Sequence, residues 1–253
     1  MKVATWNVNS LKVRLPHVLD WLSCNQPDVL CLQATKLEDS LFPLAALQQA
    51  GYLAVFNGQK TYNGVAILSR VAASGVVYNL PDFNDEQKRM IAATIDGVRT
   101  VCVYVPNGQD VSSDKYQYKM AWLAALREWL KNELARHPKL VLLGDYNIAP
   151  EDRDVHDPQA WEGKILASGP ERAAFHALER LGLRDCFRLF DQPEKSYTWW
   201  DYRMLAFRRN LGLRIDHILI SGALGCSRCD IDRTPRKLER PSDHAPVVAE
   251  IAG

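Results

Sequence analysis

What this sequence lacks narrows its class before any motif is read. Its 253 residues hold no run approaching the roughly 18 unbroken apolar residues that cross a bilayer, so no membrane span is expected. No stretch rich in glycine, serine and proline divides it, and no segment repeats or is of low complexity. One domain over residues 1–253 is therefore the expected organisation. Charge of one sign is not in excess: 31 Lys and Arg stand against 30 Asp and Glu, for a net +1. Any nucleic-acid footprint must then be a local patch. Cysteines are few. Of the six, Cys31 and Cys102 sit in apolar runs and read as reduced core residues. Cys226 and Cys229 form a lone C-x-x-C without the second ligand pair a zinc site needs. There is no P-loop, zinc signature or nucleophile elbow. The chain opens Met1-Lys2-Val3-Ala4-Thr5-Trp6, with neither a signal peptide nor a transit sequence, and a cytoplasmic location is expected.

What is present is a series of short β-rich runs. They cover Lys2–Asn7, Asp28–Gln33, Val65–Ser69, Gly75–Tyr78, Ile91–Ile95, Thr100–Val105, Leu140–Gly144, Ile215–Ile220 and Val247–Ile251. Apolar residues at helical spacing predict a helix around Leu15, Val18, Leu19 and Leu22, and a longer one from about Ser113 to Ala135. A third spans roughly Glu171–Leu181, closed by Gly182. Strand and helix do not alternate strictly. Ile91–Ile95 and Thr100–Val105 meet directly across the Asp96-Gly97 turn, which argues for mixed sheets over a doubly wound parallel one. Two stacked sheets flanked by helices fit. The best candidate for a basic patch is Arg203 to Lys237, with Arg208, Arg209, Arg214, Arg228, Arg233 and Arg236 between them.

Polar residues collect where the apolar strands end, which is where a rigid scaffold can present them to a substrate. Asn7 and Asn9 close the first strand and face one way if the chain stays extended; a pair of turn-forming asparagines is the alternative. Asp145 and Asn147 follow Leu140–Leu143 in the same relation, suited to accepting a proton from a water and orienting it. Ser242-Asp243-His244 precedes the last strand. Neighbours on a strand face opposite ways, so Asp216, not Asp243, is the expected partner of His244, and such a pair leaves a charged imidazole able to meet a phosphate oxygen. His217 reads as structural. Tyr104, followed by Asn107, closes another strand, and its phenol can donate to a phosphoryl oxygen. Trp199 and Trp200 lie beside Arg203, either in the core or poised to stack on nucleic acid. The clusters together point to phosphodiester hydrolysis with a hard cation held by oxygen ligands.

These residues fall in eight ordered segments. They include Thr5-Trp6-Asn7-Val8-Asn9-Ser10, Leu32-Gln33-Ala34-Thr35-Lys36, Tyr62-Asn63-Gly64-Val65-Ala66-Ile67 and Tyr104-Val105-Pro106-Asn107-Gly108. They continue with Gly144-Asp145-Tyr146-Asn147-Ile148-Ala149-Pro150, Tyr197-Thr198-Trp199-Trp200-Asp201, Leu213-Arg214-Ile215-Asp216-His217 and Ser242-Asp243-His244-Ala245-Pro246. Over essentially its whole length the sequence resembles the exonuclease III / abasic-site endonuclease family of the endonuclease–exonuclease–phosphatase superfamily. The resemblance implies a four-layer α/β sandwich and a DNA-repair nuclease using Mg2+ or Mn2+. It would cut 5′ to abasic sites in double-stranded DNA, with 3′→5′ exonuclease and 3′-phosphatase activities. It implies that Asp145 activates water held by Asn147, that His244 with Asp216 contacts the phosphate, and that Tyr104 lies beside it. Asn7, Asp243, Asp145 and Asn147 would form the metal site. Asn9, Asn107 and Arg203 would contact substrate, while Trp199, Leu213 and Ile215 would wall a pocket for a flipped abasic sugar.

One position departs from that pattern: the family motif reads Gln-Glu-Thr where this chain has Gln33-Ala34-Thr35. The missing Glu is a principal metal ligand, so weaker metal binding and a rate loss of about 10²–10⁴ are expected. A non-catalytic nucleic-acid-binding protein on the same fold, and a superfamily phosphatase acting on inositol phosphates or lipids, are the competing readings. A monomer is the default, since nothing marks an oligomer interface.

Overall fold

The computed structural model of the protein describes residues 1–253. Twelve strands form two six-stranded sheets. The first sheet holds β1 (Lys2–Asn7), β2 (Val29–Gln33), β3 (Leu53–Asn57), β4 (Val65–Ser69), β11 (Gly225–Ile231) and β12 (Val247–Ala252), in the order β11-β12-β1-β2-β4-β3. The second holds β5 (Ser74–Tyr78), β6 (Met90–Ile95), β7 (Val98–Tyr104), β8 (Leu140–Asp145), β9 (Leu183–Asp185) and β10 (Asp216–Ser221), in the order β5-β6-β7-β8-β10-β9. Each sheet has one parallel pair, β1 with β2 and β7 with β8; all other pairings are antiparallel. A parallel pair needs a crossover long enough to carry a helix, and α1 (Leu11–Asn25) and α3 (Asp114–Arg136) supply them. The shorter helices are α2 (Leu44–Gln49), α4 (Pro158–Trp161), α5 (Gly169–Glu179) and α6 (Ala206–Arg209).

The alternation of strand side chains sorts the core into three slabs. Val3, Val29, Cys31, Ile67, Ile91, Cys102, Val141, Leu143, Ile218 and Ile220 meet between the sheets. Ala4, Trp6, Leu30 and Leu32 point outward to Val18, Leu22 and Leu47 of α1 and α2. Val101, Val103, Leu140 and Leu142 point outward to Trp122, Leu126 and Leu130 of α3 and Phe175 of α5. The result is the two stacked sheets flanked by helices that the sequence pattern predicts, in the four-layer sandwich that the resemblance implies. The sequence reading misses β3, β9, β11 and α2. β11 carries a bulge between Cys226 and Arg228 and has only Cys229 buried, so it offers no apolar period.

The same alternation places the polar residues. Asn7, Tyr104 and Asp145 continue the inward-facing sets of β1, β7 and β8, and Asp216 begins that of β10. β7 runs parallel to β8 with Tyr104 opposite Asp145, and β10 antiparallel to it with Asp216 opposite Asp145. All four therefore arrive at one end of the inter-sheet slab. Just before Asp145, the backbone of β7 presses so close that a Cβ on Gly144 would lie 1.9 Å from the Val103 carbonyl oxygen, and only glycine fits.

Candidate active site

At that end a cavity of about 220 Å3 is lined by Asn7, Asn9, Ala34, Tyr104, Asn107, Asp145, Asn147, Leu166, Trp199, Ile215, Asp243 and His244. Its floor is a buried chain of titratable groups. His244 Nδ1 donates to both oxygens of Asp216, at 2.9 and 3.1 Å, and its Nε2 lies 3.8 Å from Asp145 Oδ2. Asp145 accepts from Asn7 Nδ2 at 2.9 Å and from the Asn147 backbone N–H at 2.8 Å. Burial and the Asp216 carboxylate push Asp145 up to about 7, against the pull of His244, Asn7 and the Asn147 amide. Burial works against a charge on His244, but Asp216 and Asp145 outweigh it and raise the imidazole to about 10. The ring is thus an imidazolium at neutral pH, fixed by Asp216 and open toward the cavity. Burial and Asp145 also raise the Tyr104 phenol, keeping it a donor; Arg89 stacks on its ring 5.0 Å from the centroid.

The opposite wall is set by Asp243, whose carboxylate accepts from Asn9 Nδ2 and from Trp199 Nε1, both at 3.0 Å. Lys36 Nζ donates to Asn9 Oδ1 at 2.6 Å. The extended backbone assumed for Asn9 and Asn147 is absent: both have positive φ, 44° and 49°. Asparagine tolerates this conformation because its short amide bonds locally. Asn9 N–H donates to Asn7 Oδ1, and the turn still delivers both asparagines to the cavity. Asn147 Nδ2 donates to the Val105 carbonyl at 2.9 Å and its Oδ1 accepts from Asn107 Nδ2 at 3.2 Å. One Nδ2 hydrogen is left for a ligand.

Asp216 stands behind His244, and two residues expected to contact substrate are not brought into the cavity. Leu213 is fully buried one layer behind it, packed with Ala149, Val155, Leu166, Ala167 and Ile215, because its backbone is bonded to Trp199 and its side chain turns to the core. Arg203 points to solvent and pairs with Asp201 at 2.6 Å. The residue that does complete the apolar wall with Trp199 and Ile215 is Leu166, which has φ 73° in a loop with no periodic pattern to announce it. Of the expected basic stretch Arg203–Lys237, Arg208, Arg209, Arg233 and Lys237 stay exposed without an ion-pair partner, while others are taken up within the protein. Arg214 is buried against Asp154 and Asp185, Arg228 pairs with Asp230, and Arg233 and Arg236 stack on Trp200 and Phe207. His217 is buried and meets the Ile148 carbonyl, a structural place.

A family model described as the endonuclease/exonuclease/phosphatase family matches residues 4–244. The chain belongs to that family. Among its members, it is 36% identical to an exodeoxyribonuclease III of Haemophilus influenzae, over 99% of this chain and all of the relative. The fold matches a 3′-5′ exonuclease of Neisseria meningitidis at TM-score 0.98 and 52% identity, covering both chains fully. It also matches an AP endonuclease of Archaeoglobus fulgidus at TM-score 0.96 and 40% identity, again over both whole chains. The two mixed sheets flanked by helices are this family's fold.

Members of the family work with a divalent metal, and the residues here fit a hard cation. Asp145 and Asp216 offer carboxylate oxygens close to one another beside His244, whose protonated ring contributes charge and no ligand atom. Asp243 adds a carboxylate and Asn7 and Asn147 add amide oxygens to a lining without thiols. Three carboxylates face one imidazolium, an excess of negative charge that a divalent cation would balance. Ala34, buried at 2% exposure with φ 52°, lines the cavity with a methyl group and coordinates nothing.

Proposed function

We propose that this chain is a DNA-repair nuclease that hydrolyses the phosphodiester 5′ to abasic sites and removes 3′ nucleotides and 3′ phosphates, with Mg2+ or Mn2+, at a rate reduced by Ala34. The juxtaposition of Asp145 with an Asp216-held imidazolium on the floor of one small cavity carries this reading. Asp145, poised near neutrality, takes the proton of the attacking water, which the free Nδ2 hydrogen of Asn147 orients. His244 and Tyr104 place positive charge and a phenol O–H against the phosphoryl oxygens, where negative charge grows in the transition state. Asn7, Asp145 and Asp243 would hold the cation, which supplies charge neutralisation at the phosphate and lowers the cost of forming hydroxide. Leu166, Trp199 and Ile215 give a deoxyribose without a base an apolar wall, and the cavity is below the roughly 300–1,000 Å3 of pockets that take drug-sized ligands. DNA is supported over a soluble phosphoester by the wider trough that shares Asn107. It is about 650 Å3 and lined by Gln59, Asn63, Gln87, Arg89, Gln109 and Lys115, amides and cations able to follow a phosphate backbone.

A narrower reading, trimming of 3′ ends without abasic-site cleavage, is favoured by the 52% identity to the Neisseria proteins. One of these is described as a 3′ phosphatase bound to a product DNA hairpin. Three duplexes decide between the two: one with an internal abasic analogue, one with a 3′ phosphate at a nick, and one with a plain recessed 3′ end. Each is incubated with Mg2+ or Mn2+ and the chain or its Ala34→Glu variant. The variant is expected to be about 10²–10⁴ faster. Release of 3′ phosphate without strand cleavage at the abasic analogue selects the narrower reading. Binding without cleavage by both proteins removes the roles given to Asp145 and His244 and leaves a binding module.

A further inference from the structure

The reaction leaves unused one fully buried lysine. Lys119 lies on the inner face of α3, and its ammonium is inaccessible to solvent. It has three donors and three acceptors: the Asn147 carbonyl at 2.7 Å, the Asn107 carbonyl at 3.1 Å and Glu171 Oε1 at 2.5 Å. Glu171 is equally buried and passes the connection on. Its Oε1 also accepts from the Leu166 N–H at 3.1 Å, and its Oε2 accepts from the N–H and hydroxyl of Ser168, closing the capping box at the start of α5. Tyr116, one turn before Lys119, meets the Ser168 hydroxyl at 2.8 Å. Asn107, Asn147 and Leu166 all line the catalytic cavity and come from three loops; Val105 N–H bonds the Asp145 carbonyl at 2.9 Å and Ala149 N–H the Leu166 carbonyl at 2.7 Å, and the Lys119–Glu171 pair is where bonds from all three converge.

We infer that the Lys119–Glu171 pair is a positioning device for the reaction, fixing the loops of Asn107, Asn147 and Leu166 relative to one another so that the amide of Asn147 and the apolar wall keep their places about the phosphate. Neutral side chains would pack this space at lower desolvation cost, since a buried ion pair is weak evidence for stability. What the charges provide is three strong bonds radiating from one atom to backbone groups of separate segments. Arginine does not replace this. Its planar fork cannot send three donors to acceptors arranged around one nitrogen. Lys119 touches neither substrate nor reacting atom and works through the loops.

The inference rests on the hydrolytic reading above, and its test keeps the two separable. In Lys119→Met/Glu171→Gln the carbonyls of Asn107 and Asn147 lose their donor while no unpaired charge remains. The control is Arg99→Met/Glu133→Gln, which removes a second buried pair, between β7 and α3 (2.7 Å, away from the cavity). Both double variants are expected to lose thermal stability. Only the first is expected to lose turnover, with kcat on the 3′-phosphate duplex down about 10–100-fold and KM held within about threefold. Lys119→Arg, which keeps the charge, is expected to lose turnover as well. Equal kcat losses in both double variants, or parental kcat in Lys119→Arg, overturn the inference. Amide hydrogen exchange of residues 105–108, 146–149 and 165–168 gives a reading independent of catalysis. Faster exchange there in the Lys119 variants but not in the control supports the device, and unchanged exchange overturns it. Should neither the parent chain nor its Ala34→Glu variant hydrolyse the duplex, the hydrolytic reading fails on that result alone, and exchange still tests the clamp.

Discussion

Two clusters of buried charge lie within about one strand of each other and are built on different balances. Around Arg214, every charge has a partner. Its Nε and Nη1 meet Asp154 and Asp185 at 2.7 and 2.8 Å, and Arg188 shares Asp154. Two guanidiniums offset two carboxylates. The neighbouring His217 is held neutral, lowered to about 4 by burial and then by Arg214. Around His244, one imidazolium bonded to Asp216 faces Asp145 and Asp243 across a cavity, and burial and then Asp216 lift Asp145 to about 7. In the first cluster the charges answer one another; in the second, carboxylates outnumber the cation beside an open cavity. Strongly shifted groups occur in both, so a shift alone does not mark a site. Surplus charge beside open space does.

The sharpest way to break this contrast is Asp145→Asn. If Asp145 is the base, turnover falls by about 10²–10⁴ in hydrolysis of the 3′-phosphate duplex. The melting temperature should hold or rise, since the change removes a carboxylate crowded by Asp216. A loss of stability instead would mean that the His244 cluster is scaffold like its neighbour.

Arg214→Met attacks the first cluster. It strands Asp154 and Asp185 in the core, and breaking a buried pair in this way costs about 3–5 kcal/mol. For a chain of this size calorimetry should show a drop on the order of 10 °C. The same protein, assayed well below its melting point, should keep kcat within about threefold of the parent. A selective loss of kcat would instead tie the Arg214 network to the reaction.

How far the sequence reveals this contrast depends on what holds each residue. Asn7, Tyr104, Asp145 and Asp216 are legible because period two runs through the strand to its last residue. His244 is legible because its partner had to come from elsewhere, and Asp216 ends a strand nearby. Leu166 is not, for its place depends on a left-handed loop residue and a bond to Glu171. Lys119 reads as one more surface lysine in Lys115-Tyr116-Gln117-Tyr118-Lys119, since nothing local says which turn of α3 faces the core loops. Leu213 and Ile215 sit two apart in one apolar cluster, yet only Ile215 reaches the cavity, because Trp199 covers Leu213. Within Arg203–Lys237 the pairing of Arg203, Arg214 and Arg228 with carboxylates is not legible, because a sequence counts charges and does not show their partners.

The smallest expected effect is the most direct test of the second cluster. A ligand that binds only the folded state stabilises it by RT ln(1 + [L]/Kd), about 1.4 kcal/mol at ten times Kd. For this chain that is a rise of roughly 3–5 °C on adding Mg2+ or Mn2+. The rise should vanish in Asp145→Asn/Asp243→Asn, which takes two carboxylates from the cavity, and should survive in Arg214→Met, whose lost charges never faced it. Ala34→Glu should reach the same rise at lower cation concentration, because it adds an oxygen ligand and a third carboxylate to line the cavity. A cation effect equal in all four proteins would mean that the surplus charge at His244 is answered within the protein, and the contrast between the two clusters would have to be drawn from shape alone.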